Sequence, residues 1–227
     1  MSLHRTATWV KVCGTTNLLD AQLSVAAGAD ALGFIFAHSR RQIEPATAKQ
    51  IVAATSGEVE CIGVFVNASP ERVAEIAGEV GLSGVQLHGD EGPGMLAEFR
   101  RTLGQRKIIK TLQVSSLRVN SDSRLEEYLE LREVVDAILL DSGSAQQRGG
   151  TGATFDWEGT LPIASQIRER MPLIVAGGLT PENVARAIEL FQPWGVDVVS
   201  GVEGEPGRKD ETKLREFVSA VRQHTGQ

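Results

Sequence analysis

Residues 61–88 read CIGVFVNASPERVAEIAGEVGLSGVQLH, and this stretch predicts a strand, a helix and a second strand in succession. The flanking runs CIGVFV and GVQLH are short and mostly apolar, as buried strands are. Between them an apolar stripe recurs at the i, i+3, i+4, i+7 spacing of a helix, formed by Val73, Ile76, Ala77 and Val80. Ser69 followed by Pro70 is typical of a helix start, so the helix begins just after the first strand.

The same alternation extends outward over the whole chain. Eight apolar runs, each followed by a turn and a segment of helical period, occupy 9–13, 31–36, 61–66, 84–88, 107–114, 137–141, 173–176 and 196–200. Alternating strands and helices indicate a parallel sheet covered by helices, and eight units in 227 residues fit a single (β/α)₈ TIM barrel. We assign residues 9–227 to this one domain and residues 1–8 to a flexible N-terminal extension.

The alternative fold is a doubly wound open sheet. A central strand of an open parallel sheet is apolar on both faces. In this chain polar side chains interrupt the apolar runs, mostly near the strand ends: Lys11, Cys13, Gln86, His88, Lys110, Asp141 and Asp197. Strand ends surround the active-site mouth of a TIM barrel, so this polar content favours the closed barrel.

Composition and charge exclude several classes of protein. Lys and Arg number 23 against 29 Asp and Glu, which gives a net charge of −6, and no basic run opposes that balance. A nucleic-acid binder is therefore not expected. The longest apolar stretches are too short to span a bilayer, and the first nine residues lack the apolar core of a signal peptide. We expect a cytoplasmic protein that binds neither nucleic acid nor membrane.

The residues give no indication of a metal or nucleotide site. The four histidines are scattered along the chain, and there is no Cys-x-x-Cys. The segment GGTG at 149–152 lacks the Lys and Ser/Thr of a phosphate-binding loop, and no Gly-x-Gly-x-x-Gly joins a strand to a helix. In a reducing compartment, Cys13 and Cys61 are expected to be free thiols.

Cys13 is the first candidate for chemistry. Lys11 and Cys13 are two residues apart, and side chains at that spacing share one face of a strand. If that face lines the barrel interior, the Lys11 ammonium lies beneath the thiol and favours the thiolate, which is the nucleophilic and basic form. We predict that Lys11 lowers the pKa of Cys13. The alternative is that Cys13 is a small buried hydrophobic residue, which is our interpretation of Cys61.

Asp141 ends the sixth run, just before the glycine-rich segment 142–152, so a carboxyl group is expected at the rim of the barrel. Taken alone, Asp141 is equally consistent with a cap on the following turn. Across the barrel mouth from Cys13 it would complete an acid–base pair, which proton transfer needs, and as the acid it must hold its proton near neutrality.

We interpret 142–152, which includes Arg148, as a lid that orders over a ligand.

Two further features indicate an anionic ligand. Arg41 follows the second run and can present its guanidinium fork to a carboxylate, although a single loop arginine is more often solvated. The seventh and eighth units end in AGGL (176–179) and SGV (200–202), the loops where barrels frequently bind phosphate through backbone N–H groups. Such glycines can also be simple tight turns, but two of these loops in consecutive units favour phosphate.

Ordered motifs run through nearly the whole chain. They are VKVCG (10–14), GAD (28–30), GFIF (33–36), SRRQI (39–43), GVFVN (63–67), VQLHG (85–89), LLD (139–141), GGTG (149–152), FDW (155–157), AGGL (176–179), NV (183–184), VD (196–197), SGVE (200–203), PG (206–207) and KD (209–210). Together they resemble the phosphoribosylanthranilate isomerase family of tryptophan biosynthesis.

This resemblance implies an enzyme that performs the Amadori rearrangement of N-(5-phosphoribosyl)anthranilate to 1-(2-carboxyphenylamino)-1-deoxyribulose 5-phosphate. It implies no metal or organic cofactor. The family's general base falls on Cys13 and its general acid on Asp141. The expected partner is therefore a small phosphosugar, and the resemblance leaves open whether the protein is a monomer or a homodimer.

The resemblance also implies a set of substrate-binding residues. Arg41 matches the arginine that holds the anthranilate carboxylate, and Asp197 matches an aspartate of the pocket that we expect to orient the substrate. The phosphate loops fall on Gly178, Ser200 and Gly201. Two motif positions, Gln86 and His88, are included in the site without an assigned role.

This chain departs from the family pattern at Thr15. The family usually continues Cys-Gly with isoleucine, whereas Thr15 places a hydroxyl in the packing beneath the first loop.

Two other functions are alternatives to the isomerase. They are another phosphosugar-binding TIM-barrel enzyme and a non-catalytic phosphosugar-binding module. An epimerase would need metal-ligating histidines, and an indole-glycerol-phosphate synthase relative would need a catalytic lysine and glutamates. The thiol of Cys13 and the carboxyl group of Asp141 therefore distinguish the isomerase from these other barrel enzymes.

Overall fold

Eight parallel strands close into a barrel in the computed structural model, which describes residues 7–114, 121–141 and 157–224. The strands are β1 (Trp9–Cys13), β2 (Ala31–Ile35), β3 (Glu60–Phe65), β4 (Gly84–Leu87), β5 (Lys107–Gln113), β6 (Ala137–Asp141), β7 (Leu173–Val175) and β8 (Gly195–Val198). They are hydrogen-bonded in chain order, and β1 also pairs with β8, so the barrel sheet has no edge. The prediction of a TIM barrel rather than an open sheet is confirmed.

Helices follow the strands and cover the barrel. They are α1 (Leu18–Ala27), α2 (Pro45–Ala54), α3 (Pro70–Val80), α4 (Pro93–Leu103), α5 (Ser121–Leu129), α6 (Leu161–Arg170), α7 (Val184–Phe191) and α8 (Glu211–Gln223). Between β8 and α8 the chain also forms a two-stranded antiparallel hairpin, β9 (Glu203–Glu205) with β10 (Arg208–Lys209). The predicted end of the eighth run was wrong, because Ser200 lies in a 3₁₀ turn, Ser200–Val202, and not in the strand.

Helix α3 shows how the local sequence sets an element. The hydroxyl of Ser69 accepts a hydrogen bond from the backbone N–H of Arg72, and Pro70 occupies the first turn, where no intrahelical N–H bond is lost. The helix ends at Gly81, whose φ of 82° is left-handed and suits glycine. The apolar stripe predicted from residues 73–80 is buried, so α3 packs against the barrel by the face that the sequence indicated.

The buried apolar side chains form two layers. The larger cluster combines helix residues with strand residues such as Val10 and Val12, so it lies between the strands and the helices. The smaller cluster contains Trp9, Ala31, Ile62, Ile109, Ala137, Leu139, Ile174, Ala176 and Trp194. Because strand side chains alternate in direction, this second cluster fills the inside of the barrel.

The polar strand residues divide between the same two faces. Lys11 and Asp197 are buried and paired with each other across β1 and β8. Lys110 points the other way, because its neighbour Ile109 belongs to the interior cluster, and it forms a buried ion pair with Glu91 at 2.7 Å. Lys110 is therefore not one of the residues around the barrel mouth.

The beginning of the chain is packed from residue 8 onward. Thr8 is 5% exposed, and its carbonyl oxygen accepts a hydrogen bond from Arg222 of α8. Of the expected extension, residues 1–6 lie outside the described residues, as does the expected lid at 142–152. Within the described part of the chain, none of the helices has the length and apolar character needed to cross a bilayer.

Candidate active site

A cavity of about 380 Å³ opens among the carboxyl ends of the barrel strands, where TIM-barrel active sites lie. Its polar and charged lining residues are Cys13, His38, Ser39, Arg41, Gln86, His88, Asp141, Asp197 and Ser200. Gly178 lines it as well, so every predicted site residue except Gly201 meets in this one cavity. The fold thus brings together residues from seven of the eight strand ends or the loops that follow them.

The thiol of Cys13 fits at the end of β1 because its neighbour on β2 has no side chain. Cys13 pairs in register with Gly33. A Cβ built on Gly33 would lie 2.5 Å from the Cys13 sulfur and 3.0 Å from its Cα. Glycine inside a strand marks a close approach of another group, and here that group is the sulfur.

A buried ion pair lies directly below the thiol. The ammonium of Lys11 is 2.8 Å from an Asp197 carboxylate oxygen, and Lys11 is fully buried. Burial lowers the pKa of Lys11, but the charges of Asp197 and Cys13 raise it, and the net shift is upward. Lys11 therefore stays protonated at neutral pH and is a permanent cation beside the site.

Burial raises the pKa of the Cys13 thiol and outweighs the positive charge of Lys11, which lowers it. The negative charge of Asp197 adds to the rise. The sequence prediction was correct for the contribution of Lys11 itself, but the net pKa of Cys13 lies above that of an ordinary thiol. The reason is that Lys11 is shared with Asp197, while the sulfur is desolvated at 4% exposure.

A series of polar side chains leads from β5 and β4 to Asp141. Its Oδ2 lies 3.4 Å from Nε2 of His88, which follows β4. The side-chain nitrogen of Gln86 donates to the hydroxyl of Thr111 on β5 and lies 3.1 Å from Nδ1 of His88. With this nitrogen as donor, Nδ1 is the acceptor and the ring hydrogen of His88 is on Nε2, on the side of Asp141. Gln86 and His88 thus connect β5 to the candidate acid.

Arg41 lies in the cavity wall, and its side chain is mostly buried, at 12% exposure. Its Nε donates to Oε1 of Glu203 at 2.8 Å and its Nη2 to Oε2 at 2.7 Å. This hydrogen bonding to Glu203 raises the pKa of Arg41, so the guanidinium is cationic at every relevant pH. The partner of Arg41 in this structure comes from the β9 strand, 162 residues further along the chain.

The two glycine-containing loops, after β7 and β8, lie against each other beside the cavity. Gly177 and Gly178 have φ values of 90° and 68°, a left-handed conformation that L side chains rarely adopt. A Cβ on Gly201 would overlap the carbonyl oxygen of Leu179, so only glycine lets the loop after β8 pack on the loop after β7. Ser200 lines the cavity next to this contact.

Known proteins similar to this chain identify its family. Residues 10–220 match the family model described as N-(5'-phosphoribosyl)anthranilate isomerase. The chain belongs to this family. It is 44% identical over 214 residues to the N-(5'-phosphoribosyl)anthranilate isomerase of Rubrobacter xylanophilus, a match that covers 94% of this chain and 98% of the relative.

Solved structures of the isomerase family superpose on this chain. One contains monomers of the dimeric enzyme from Thermotoga maritima and has a TM-score of 0.77 at 38% identity, covering 95% of this chain and 99% of the relative. Another family structure is a complex with reduced 1-(o-carboxyphenylamino)-1-deoxyribulose 5-phosphate, with a TM-score of 0.76 at 40% identity. Its match covers 95% of this chain and 99% of that chain.

Reasoning from the sequence missed three polar residues of this isomerase-family site. His38 and Ser39 line the cavity but had no assigned role, although their position between β2 and Arg41 was a usable signal. Glu203 was only a motif position, because nothing in the sequence connects it with Arg41. No cluster of three or more His, Cys, Asp or Glu side chains able to hold a metal is found among the described residues.

In the described part of the chain, Thr15 places an unpaired hydroxyl in the packing beneath the first loop. It is fully buried, and its hydroxyl has no hydrogen-bond partner among the described residues. An unpaired buried hydroxyl is destabilising relative to an apolar group of the same size. The departure from isoleucine noted in the sequence therefore lies at a position where an apolar residue would pack without an unpaired polar atom.

Proposed function

We propose that this protein isomerises N-(5'-phosphoribosyl)anthranilate in tryptophan biosynthesis, with Cys13 as general base and Asp141 as general acid. The observation that carries the proposal is the placement of a thiol and a carboxyl group in one cavity. Cys13 ends β1 and Asp141 ends β6, three strands away around the barrel. A sugar held between them can give a proton to one group and receive a proton from the other.

The reaction needs no atoms beyond those of the substrate. Asp141 protonates the furanose ring oxygen, the bond from that oxygen to C1 breaks, and the nitrogen lone pair forms a cationic Schiff base. Cys13 then removes the proton from C2, and the electrons of that bond move to give an enolamine. Protonation of C1 and loss of the C2 hydroxyl proton give the ketone, so the product is an isomer of the substrate.

The raised pKa of Cys13 is compatible with a base that acts only on the bound intermediate. In the free protein the buried thiol holds its proton, because burial outweighs the charge of Lys11. A cationic Schiff base beside the sulfur adds a second positive charge, which favours the thiolate, so the thiol releases its own proton to water in the cavity as the Schiff base forms. The base form is then stabilised at the moment when C2 must lose its proton.

Substrate binding is assigned to the charged and glycine-rich parts of the cavity. Arg41 binds the carboxylate of the anthranilate ring, and Asp197 orients the substrate from the barrel interior. Gly178, Ser200 and Gly201 form the phosphate site. The complex of a family relative with the reduced product supports a ligand that carries both a carboxylate and a phosphate.

We also propose a partner, a location and an oligomeric state for the protein. Its partner is a small phosphosugar and not a nucleic acid, it works in the cytoplasm, and it is a monomer or a homodimer. A net charge of −6 is unfavourable for nucleic-acid binding. Sedimentation equilibrium of the purified chain decides between one and two copies, and a larger assembly would contradict the proposal.

The direct test follows the fluorescence decay of freshly prepared phosphoribosylanthranilate on adding the protein. Cys13→Ala and Asp141→Asn are each expected to reduce kcat by about 10² to 10⁴, as loss of a general base or acid does. Cys61→Ala is the matched control, because Cys61 is also a free buried thiol but does not line the cavity. Wild-type turnover by Cys13→Ala, or an equal loss in Cys61→Ala, would contradict the assignment.

A further inference from the structure

The carboxylate that holds Arg41 does so along only one edge of the guanidinium. Glu203 accepts hydrogen bonds from Nε and Nη2. An arginine carries five N–H donors in a planar fork, so three donors are left on Nη1 and Nη2. Among the described residues these three make no further hydrogen bond, while the side chain lines the cavity. The remaining edge has the spacing of a second carboxylate.

Glu203 itself is fixed by the hairpin between β8 and α8. Its Oε1 also accepts from the backbone N–H of Gly207, and Nζ of Lys209 is 3.4 Å away. The Lys209 ammonium donates in addition to the carbonyl oxygens of Cys13 and Val199. One buried lysine therefore joins the ends of β1 and β8 to the carboxylate that holds Arg41.

Two contacts seat this hairpin on the loop after β1 and on the first turn of α1. The hydroxyl of Thr16 donates to the carbonyl of Gly207, and a carboxylate oxygen of Asp20 accepts from the backbone N–H of Lys209. The stem of Arg41 passes over the same loop, since a Cβ on Gly14 would lie 2.8 Å from its Cδ. The guanidinium, the thiol-bearing strand and the hairpin are thus packed as one unit.

Electrostatics keep Glu203 ionised in this position. Burial raises its pKa, but the hydrogen bond from Arg41 and the charge of Lys209 lower it, and the net shift is downward. Glu203 is therefore a carboxylate at neutral pH, able to orient a cation without receiving its proton.

We propose that Glu203 is a positioning residue: it turns the free edge of the Arg41 guanidinium into the cavity and so sets the preference for a substrate that bears a ring carboxylate. The inference rests on the proposed function, because it uses Arg41 as the carboxylate site. A flexible arginine loses side-chain freedom when it binds a ligand, whereas one already held by Glu203 loses little. Glu203 therefore favours carboxylated ligands through Arg41, without touching the ligands itself.

The test measures binding, so that it does not depend on turnover. Calorimetry gives the Kd of reduced 1-(o-carboxyphenylamino)-1-deoxyribulose 5-phosphate and of the same compound without the ring carboxylate. The wild type should prefer the carboxylated ligand. In Glu203→Gln this preference should fall by about tenfold, the scale of one immobilised side chain, while the Kd of the decarboxylated ligand stays unchanged. In Arg41→Met the preference should be lost, and adding Glu203→Gln to it should change nothing further.

Two more variants separate positioning from simple stabilisation. Glu203→Asp keeps a negative charge beside Lys209 but withdraws the carboxylate by one methylene, so it should also weaken the preference, even if Glu203→Gln does not fold. Lys213→Met is the control, because Lys213 donates to the backbone carbonyl of Glu203 and leaves its carboxylate in place. It should retain the wild-type preference.

The outcomes are distinct. An unchanged preference in Glu203→Gln or, if that variant does not fold, in Glu203→Asp overturns the positioning role and leaves the proposed function standing. Equal weakening of both ligands also overturns it, because that is the mark of a general structural loss. A wild type without carboxylate preference overturns the role of Arg41 and the inference together.

Discussion

Replacing Gly33 with alanine tests whether the position of one sulfur atom determines the rate. The new methyl group would lie 2.5 Å from the sulfur of Cys13, whereas ordinary contact begins at 3.4 Å. The sulfur must therefore retreat by the difference between 3.4 Å and 2.5 Å, about 0.9 Å. Rotation of the Cys13 side chain cannot relieve the whole overlap, because the Cα and Cβ of Cys13 would each be 3.0 Å from the methyl group, so the strand must shift as well.

The expected effect falls on catalysis more than on binding. A reacting group displaced by about 1 Å costs roughly 10²-fold in rate, so kcat of Gly33→Ala should fall by about two orders of magnitude. Overpacking should lower the free energy of unfolding by about 1–3 kcal/mol. KM should change little, because the three atoms nearest the new methyl group all belong to Cys13 and none to Arg41 or the phosphate loops.

The assay is the fluorescence decay of the substrate, analysed for kcat and KM separately, with a thermal melt of each variant. Gly78→Ala is the matched control, because Gly78 lies in α3 and an added methyl group there would have nothing within 4 Å. It should keep wild-type kcat and gain up to about 1 kcal/mol of stability. If Gly33→Ala folds and turns over like the control, the reasoning about the sulfur position is refuted.

Two further predictions concern this site, and a third concerns Cys61, which lies outside it. In a Cys61→Ala background, the pH midpoint for alkylation of Cys13 should rise in Lys11→Met and fall in Asp197→Asn, because these charges act on its pKa in opposite directions; shifts of the same sign would contradict this. Gly201→Ala should raise the inhibition constant of inorganic phosphate by about tenfold or more, since overpacking separates the two phosphate loops, and an unchanged constant would exclude that role. Burial raises the pKa of Cys61, so its folded thiol holds its proton longer than the unfolded one. The stability that wild type has over Cys61→Ala should therefore shrink as pH rises through the thiol range, as measured by urea unfolding.

Local patterns in the chain were sufficient for the architecture. The stripe on α3, the cap at Ser69 and the short apolar runs are all features of neighbouring residues, and the alternation of strands and helices leaves few ways to form a closed sheet. The same patterns placed Cys13 and Asp141 at strand ends, which in a barrel meet at one mouth. Both candidate groups for proton transfer were therefore accessible from the sequence.

The pairings of the site depended on strand register and on distant segments. Which residue lies beside Cys13 is decided by the register of β1 with β2, and no pattern within either strand specifies it. Lys11 meets Asp197 across 186 residues, and Arg41 meets Glu203 across 162. Reasoning from spacing also placed Lys110 near the mouth, but strand alternation turns it toward the helices and Glu91.

The sequence by itself determined the elements, their order and the chemical types at the strand ends, because these follow from periodicity along the chain. Only the tertiary structure decided the ionisation of Cys13 and the orientation of Arg41. Both depend on burial and on charges contributed by segments far away in sequence. The free energy of a charged group changes with its surroundings far more than the packing energy of an apolar stripe does.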